Sequence, residues 1–386
     1  MKIAMILRPD ADTVFGGDTV VMNKLSHAMR GQGVEVVIGP LDVLPPASEF
    51  DLLHIFTVVP LTHARRMVAW AQAGDMPIVF SPLYYATFRH WFEKASVSTP
   101  RWRRLAATLG KERTWAIYRT WQEVKLPLVE VWRESRKVLA AATCIATSSQ
   151  WENRYVAGHF RLSRRIRQQM RISPLGIDAG LYGQTFSDEQ IAAFRARHQI
   201  GPGYVCEVAR IEPKKNQLAV IEALTDVDVP LVFVGHASPY APGYVARCRE
   251  AGARRGQVHF LNWLPEEELP LLYAAAAAHI LPSWVELPGL SSLEAGASGC
   301  RVISTEISPL PELLGDQAWY CDPFDQGSIR AAVLAALDTP APPGLRQRLL
   351  TNLSWERAAA ANLALYRQTI SAQTSLTCRV STRVDL

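Results

Sequence analysis

Two glutamates, Glu286 and Glu294, stand in an otherwise small and apolar stretch, SWVELPGLSSLEAGASGC, residues 283–300. A loop carboxylate can accept hydrogen bonds from sugar hydroxyls, and a helix carboxylate can accept two from a ribose diol. Pro288 and Gly289 interrupt the chain between them, which predicts Glu286 on a loop and Glu294 one turn inside a helix starting near Leu290. The N–H groups of Leu290, Ser291 and Ser292 at such a start have no intrahelical partner and favour an anion. The plainer reading is that acidic side chains suit a helix N-terminus and serve nothing else.

A second cluster follows the run YVCEVAR. In VARIEPKKNQLAVIEAL, Arg210 falls at a strand end and Lys215 near the start of the next helix. Two cations so placed suit a diphosphate, since hydrogen bonds to charged groups are worth about 1.5–3 kcal/mol each. Taken alone, the pair reads as two surface charges in a loop. A third cluster is FGGDTVVMNKLSHAM, where Gly16 and Gly17 precede a helix and let a phosphate approach the backbone. The spacing is not G-x-G-x-x-G, and Asp42 after VEVVIGP is poorly placed for a ribose, so a nicotinamide cofactor is disfavoured. Asp226-Val-Asp228 resembles a D-x-D metal motif only superficially, because it precedes the strand PLVFVG; no metal is expected.

These residues need a scaffold, and the chain alternates short apolar runs with longer helical ones. KIAMIL, VEVVIG, DLLHIF, PIVFSP, CIATSS and RISPLG read as strands in the first half, with helices at Thr19–Arg30 and Leu61–Ala73 and a long helical stretch from Arg89 to Leu139. YVCEVAR, PLVFVG, VHFLNW, AAHILPS and RVIST read as strands in the second half. Such alternation predicts parallel sheets covered on both faces, and its repetition predicts an α/β protein of two Rossmann-like domains facing a central cleft. The boundaries expected are 1–182 and 183–354, with a final helix from Trp355 to about Ile370. The tail SAQTSLTCRVSTRVDL is expected to lack regular order.

At 386 residues the chain exceeds what one core usually supports. Its 48% hydrophobic and 20% charged residues are those of a globular protein. No apolar run reaches the ~20 residues of a membrane span, and MKIAMILRPDAD is too short in its apolar part for a signal peptide, so a cytoplasmic chain is expected. Six cysteines without a C-x-x-C pair fit a reducing compartment. The net charge of +5 is unevenly spread: Arg101–Arg171 holds sixteen Lys or Arg against five Glu. Trp91, Trp102, Trp115, Trp121, Trp132 and Trp151 are six of the eleven tryptophans. Basic residues interleaved with tryptophan suit an anionic interface, a phospholipid surface or nucleic acid; a solvated basic helix with its tryptophans turned inward is the alternative.

The order of the GG loop, R-x4-K after a strand, PS before a glutamate, E-x7-E, RVIST and LPELLGD resembles the retaining glycosyltransferases of family 4, which have the GT-B fold. The resemblance runs from KIAMILRP to SWERAAAANLALY and is vaguest between Phe88 and Leu139. It implies a hexosyltransferase-like transfer of a sugar from a nucleotide diphosphate sugar to a glycan or glycolipid, without metal or other cofactor and with retention of configuration. It implies that Glu286 holds donor-sugar hydroxyls and Glu294 the ribose, while Arg210 and Lys215 neutralise the departing diphosphate with help from amides at Gly16, Gly17, Gly289, Leu290 and Ser291. Trp263 and Leu264 would lie near the base, and the last helix would cross back onto the first domain. Polysaccharide or lipopolysaccharide assembly is the setting the family implies.

Several positions depart from the family pattern. Leu287-Pro288 stands where Gly-Phe is common after the first glutamate, and Asn216 replaces a glycine after the lysine. Ser81-Pro82 occupies the place of a histidine that touches the donor sugar or reacting centre, leaving Ser81 and His54 as candidate acceptor or sugar contacts. The basic, Trp-rich segment Arg89–Arg136 is expected to dock on an anionic membrane at the inner face, where a lipid-linked acceptor resides. Two other readings stay open: a GT-B nucleotide-sugar epimerase, and a non-catalytic module binding nucleotide sugar or nucleic acid, the nucleic acid being disfavoured by the intact Arg210, Lys215, Glu286 and Glu294 set.

Overall fold

The computed structural model describes residues 1–6, 17–57, 60–86 and 88–384, without the side chains of residue 94 and residues 374–384. The chain divides into two units, one of Met1–Leu175 with Glu356–Leu386 and the other of Gly176–Trp355.

The first unit holds strands β1 (Lys2–Ile6), β2 (Glu35–Gly39), β3 (Leu52–Phe56), β4 (Ile78–Ser81), β5 (Cys144–Thr147) and β6 (Met170–Ile172). They form one parallel sheet in the order β2-β1-β3-β4-β5-β6. Residues alternate across it, as the two-residue strand period demands. Ala4, Ile6, Leu53, Ile55, Ile78, Phe80 and Ile145 join one buried cluster with the helix Leu61–Ala73. His54 belongs to the opposite face, which the last helix covers: Tyr366 Oη lies 2.5 Å from His54 Nδ1, and Ser81 Oγ lies 2.8 Å from its Nε2. Ser173 Oγ donates to Asn362 of the same helix at 2.6 Å.

The second unit holds β7 (Val205–Val208), β8 (Leu231–Val234), β9 (Val258–Leu261), β10 (Ala278–Leu281), β11 (Val302–Thr305) and β12 (Trp319–Cys321), all parallel, in the order β12-β11-β10-β7-β8-β9. One face buries Cys206, Val232, Val234 and Val302 against Phe194, Leu272, Leu293 and Leu349. The other buries Val205, Leu231, Phe233, Ile280 and Ile303 against Val220, Ile221, Cys248 and Val333. With both faces of these strands buried, the sequence there shows continuous apolar runs rather than alternation.

The long helical stretch is four helices, Phe88–Ser98, Pro100–Leu109, Lys111–Lys125 and Glu130–Ala140, broken where Pro100, Gly110 and Pro127 stand. It has a small core of its own, Phe92, Trp102 and Tyr118, with Trp115 and Trp121 packed against it. Trp132 is buried with the first unit's main core. Most of the aromatic surface that composition placed at an interface is therefore internal, and Trp91, 52% exposed, is the exception among these six described tryptophans. The strand β12 was not read from the sequence, since WYC has none of the aliphatic residues that mark the other strands. The tail also differs from its expectation: the last helix runs Trp355–Val384, because neither glycine nor proline occurs after Trp355 to stop it.

Candidate functional site

In open α/β sheets, ligands bind beyond the carboxyl ends of the strands, at the point where the strand order reverses. In the second unit the chain runs from β7 outward through β8 and β9, then returns to β10 on the other side of β7. The loops leaving β7 and β10 carry Arg210, Lys215 and Glu286. Lys215 ends a short turn, Pro213–Lys215, and its Nζ donates to Glu286 Oε2 at 2.6 Å, with the two side chains only 17% and 9% exposed. Five residues of one loop and the middle of another are thus brought together, which spacing alone could not show. Arg210 Nε lies 3.6 Å from Glu212 Oε1 and Lys214 Nζ 3.3 Å from it, so Glu212 balances the two cations that Glu286 does not reach.

The two loops are fastened to each other by Asn216. It adopts a left-handed conformation, φ +71°, and its side-chain amide donates to the carbonyls of Pro282 at 3.3 Å and Pro323 at 2.6 Å. Trp284 N–H donates to Lys214 O at 2.8 Å, and its ring stacks on Phe324 at 5.8 Å. The replacement of glycine by asparagine is therefore not a neutral change: the residue keeps the backbone shape and adds a clamp. Asn216→Ala is expected to cost about 2–3 kcal/mol, from two buried carbonyls left without a donor plus backbone strain, while Asn216→Gly retains the backbone shape and loses only the clamp. Urea unfolding of both variants measures the difference. Gly235, at φ +145°, lets the end of β8 come against the backbone of Ala209 and Arg210, where a Cβ would meet Ala209 O at 2.2 Å.

Glu294 lies in the helix Leu290–Ala297, whose N-cap is Gly289 at φ +79°. The Tyr182 hydroxyl is hydrogen-bonded to Glu294, and burial holds both Tyr182 and Tyr273 protonated far above the ordinary range, with the Glu294 charge adding to the effect. Ser292 is buried and its hydroxyl meets His279 Nε2 at 3.2 Å, whereas Leu290 and Ser291 stay partly exposed at the helix start. The peptide bond Leu287-Pro288 is cis.

Other expected residues fall elsewhere. Trp263, in the loop after β9, is 61% exposed and available for contact. Leu264 is not: it is 6% exposed and packs in the core with Tyr273 and Leu293, because an aliphatic side chain beside an apolar cluster gains more from burial than from a wet loop. His54 and Ser81 are likewise withdrawn, buried and bonded to each other, and burial lowers His54 to about 3, so it is neutral. Neither presents a free polar atom to a sugar. Gly17 begins the helix Gly17–Gly31 and is exposed, while Gly16 lies outside the described residues. Asp226 is occupied by Arg330 Nη2 at 3.1 Å, and no group of three or more His, Cys, Asp or Glu among the described residues could hold a metal. A cavity of about 270 Å³ lies at the amino ends of β10 and β11, lined in part by Ala277, Cys300, Arg301 and Arg346, away from Lys215 and Glu286. Its arginines donate to backbone carbonyls.

One residue of the site had no place in the sequence reading. Glu207, in the middle of β7, is 1% exposed, and neither of its carboxyl oxygens has a partner within 3.5 Å in good hydrogen-bond geometry, the Gln217 amide being its nearest donor. The signal was a single charge inside the apolar run YVCEVAR.

Two units, each built on a six-stranded parallel sheet with covering helices, define the GT-B fold of glycosyltransferases. Sucrose-phosphate synthase from Thermosynechococcus elongatus shares it with a TM-score of 0.71 and 19% identity, over 96% of this chain and 99% of that one. The catalytic domain of starch synthase IV from Arabidopsis thaliana, bound to ADP and acarbose, shares it with a TM-score of 0.66 and 13% identity, over 96% and 99%. Anabaena HepE in complex with UDP-glucose does so with a TM-score of 0.64 and 16% identity, over 97% and 100%. Residues 190–352 match the family described as glycosyl transferases group 1. That stretch contains Glu207, Arg210, Lys215, Glu286 and Glu294. A glycogen synthase of Mycobacterium tuberculosis is 35% identical over 94 residues, a match spanning 22% of this chain and 23% of that relative.

Proposed function

We propose that this protein is a glycosyltransferase that moves a sugar from a nucleotide diphosphate sugar to a glycan or glycolipid acceptor, with retention of configuration and without a metal. The observation that carries the reading is the Lys215–Glu286 pair at the strand-order reversal of the second sheet, inside the stretch that matches glycosyl transferases group 1. In this scheme Lys215 and Arg210 take the diphosphate, whose charge grows as the glycosidic bond breaks, and the amides at Leu290 and Ser291 add to that stabilisation. Glu286, released by Lys215, accepts hydrogen bonds from the donor sugar. Glu294, steadied by Tyr182, accepts from the ribose. A panel of UDP, ADP, GDP and dTDP sugars tests the first step by thermal shift, since a ligand at a hundred times its Kd stabilises by about 2.7 kcal/mol. UDP-glucose and an ADP-sugar head the panel, because UDP-glucose and ADP are the ligands named for two proteins of this fold. No shift with any member would overturn the donor assignment. Rearranged donor without a transfer product would move the reading to an epimerase.

The acceptor side rests on a separate observation. Val97, Ile117, Val124, Leu128 and Val131 of the helical segment are 44–77% exposed, alongside the exposed Arg103, Arg104 and Arg113. Aliphatic side chains bordered by arginines match the apolar and anionic layers of a lipid surface. No helix among the described residues is long and apolar enough to cross a membrane. We assign this segment to peripheral docking on an anionic bilayer that carries the acceptor. Vesicles containing phosphatidylglycerol are expected to carry the protein in flotation at low salt, and Ile117→Glu with Val124→Glu to abolish this. Equal recovery with neutral vesicles, or none with anionic ones, would favour a soluble acceptor.

A further inference from the structure

The Lys215–Glu286 pair has a third member below it. Glu207 points to the face of the second sheet that carries Val205 and Phe233, where β8 sets Phe233 opposite it. The helix Gln217–Ala223 brings the buried Gln217 to this carboxyl, and the helix Pro242–Arg255 brings Tyr244 and Cys248, while Lys215 and Glu286 act on it from the two loops. Gln217 donates one amide N–H to Arg210 O at 3.1 Å, keeps the other on the side of Glu207, and accepts from the Tyr244 hydroxyl at 3.4 Å. The titratable groups that interact with Glu207 are Lys215, Glu286, Tyr244, Cys248 and its chain neighbour Cys206, and Lys215 is the cation among them.

We propose that Glu207 is a positioning residue of the candidate donor site that works as a neutral acid, leaving the Lys215 charge free for the diphosphate. Lys215 already serves one carboxylate, Glu286, at 2.6 Å. A second ionised carboxylate in a buried, water-poor setting would hold the ammonium between two anions, and an incoming diphosphate would compete with both. A neutral Glu207 removes that competition. Two oxygens at 1% exposure with no well-formed hydrogen bond are what an ionised carboxylate avoids, since burying a poorly paired charge is far costlier than burying the protonated acid. Burial pushes the Glu207 carboxyl well above the usual range, outweighing the Lys215 charge and the Gln217 amide, which oppose this, while the Glu286 charge reinforces it. Deepening the reading of this unit as a diphosphate site, the proposal adds an alkaline limit to donor binding that Glu207 sets.

The sign follows from which form binds. If the diphosphate selects the form with Glu207 protonated, affinity is full below the folded-state pKa and falls by up to tenfold per pH unit above it. Cys248 is raised to about 11 by burial and Tyr244 is raised above its ordinary 10, so neither ionises between pH 7 and 9.5. The test is isothermal titration of UDP and ADP into the full-length protein and its Glu207→Gln variant across that range. The wild type is expected to lose affinity toward pH 9.5, and the glutamine variant, which cannot ionise, to lose at least fivefold less. Loss of the Lys215 charge would weaken both proteins alike, so parallel profiles overturn the proposal, as does a flat wild-type profile. Stability supplies the second arm. A raised carboxyl pKa means that the folded state holds a proton the unfolded state releases above its ordinary value, so wild-type stability declines as pH rises from about 4.5 toward the folded value. Glu207→Gln removes that decline, and its melting temperature relative to wild type is expected to climb between pH 5 and 8; a constant difference shows an ionised carboxylate and overturns the proposal. Absence of any nucleotide binding by the wild type, with the stability arm intact, would instead count against the donor site itself.

Discussion

Lys215→Met is expected to weaken nucleoside diphosphate binding by about 10–100-fold, the worth of one charge-assisted hydrogen bond. It is expected to lower kcat/KM for sugar transfer further, by about 10²–10³-fold, the cost of removing one preorganised group from a developing anion. In the proposed transfer the extra loss would arise because a leaving diphosphate carries more charge in the transition state than in the bound donor, so the ammonium would be worth more there. The variant also strands Glu286, whose side chain is only 9% exposed, without its 2.6 Å partner. Leaving one side of a buried pair uncompensated is destabilising, so the melting temperature must be measured beside the kinetics. Glu286→Gln separates the roles. It releases Lys215 without removing it, so diphosphate affinity is expected to hold or rise while transfer falls steeply. Equal loss of diphosphate affinity in both variants would show that the pair acts as one structural unit and that Glu286 has no separate role toward the sugar.

The second large effect is expected from a residue that has no side chain to offer a substrate. Gly289 has φ +79°, and a Cβ there would stand 2.7 Å from Leu310 Cδ1 and 3.0 Å from Glu286 Cγ. Leu310 is fully buried in the second unit's core and has nowhere to go. Glu286, on a loop, must give way. Gly289→Ala is therefore expected to cost about 1–2 kcal/mol in backbone strain and to lower kcat by about 10²-fold, the scale of a misplacement near 1 Å. Gly256→Ala is the control: it has a similar φ, +75°, with nothing within 4 Å of its Cβ, so it should lose stability and keep kcat. Equal kcat in the two alanine variants would show that Gly289 serves the backbone alone.

The two variants also show where the sequence was legible. The pattern E-x7-E, with Pro288 and Gly289 between, put Glu286 on a loop and Glu294 in a helix, and the structure has both there, because proline and glycine act on the chain locally. Eleven of the twelve strands announced themselves as short apolar runs, since strands buried on both faces need little else; β12, with no aliphatic residue, did not. The break-up of residues 88–140 followed from two prolines and a glycine, Pro100, Pro127 and Gly110, set singly in a basic stretch.

What the chain could not state locally was which side chains would share a site and which would be withdrawn from one. His54 and Ser81 look like surface chemistry at strand ends, yet Tyr366, 312 residues after His54, closes over the histidine. Leu264 looks like a loop residue and is core. Glu207 looks like an intruder in a strand and comes under the charges of a lysine eight residues on and of a glutamate from another loop. Residue type and local spacing decided the strands, the turns and the chemistry on offer. Only the reversal of strand order around β7 and β10 decided that Lys215 meets Glu286, because that contact joins residues 71 apart and depends on which strand lies beside which.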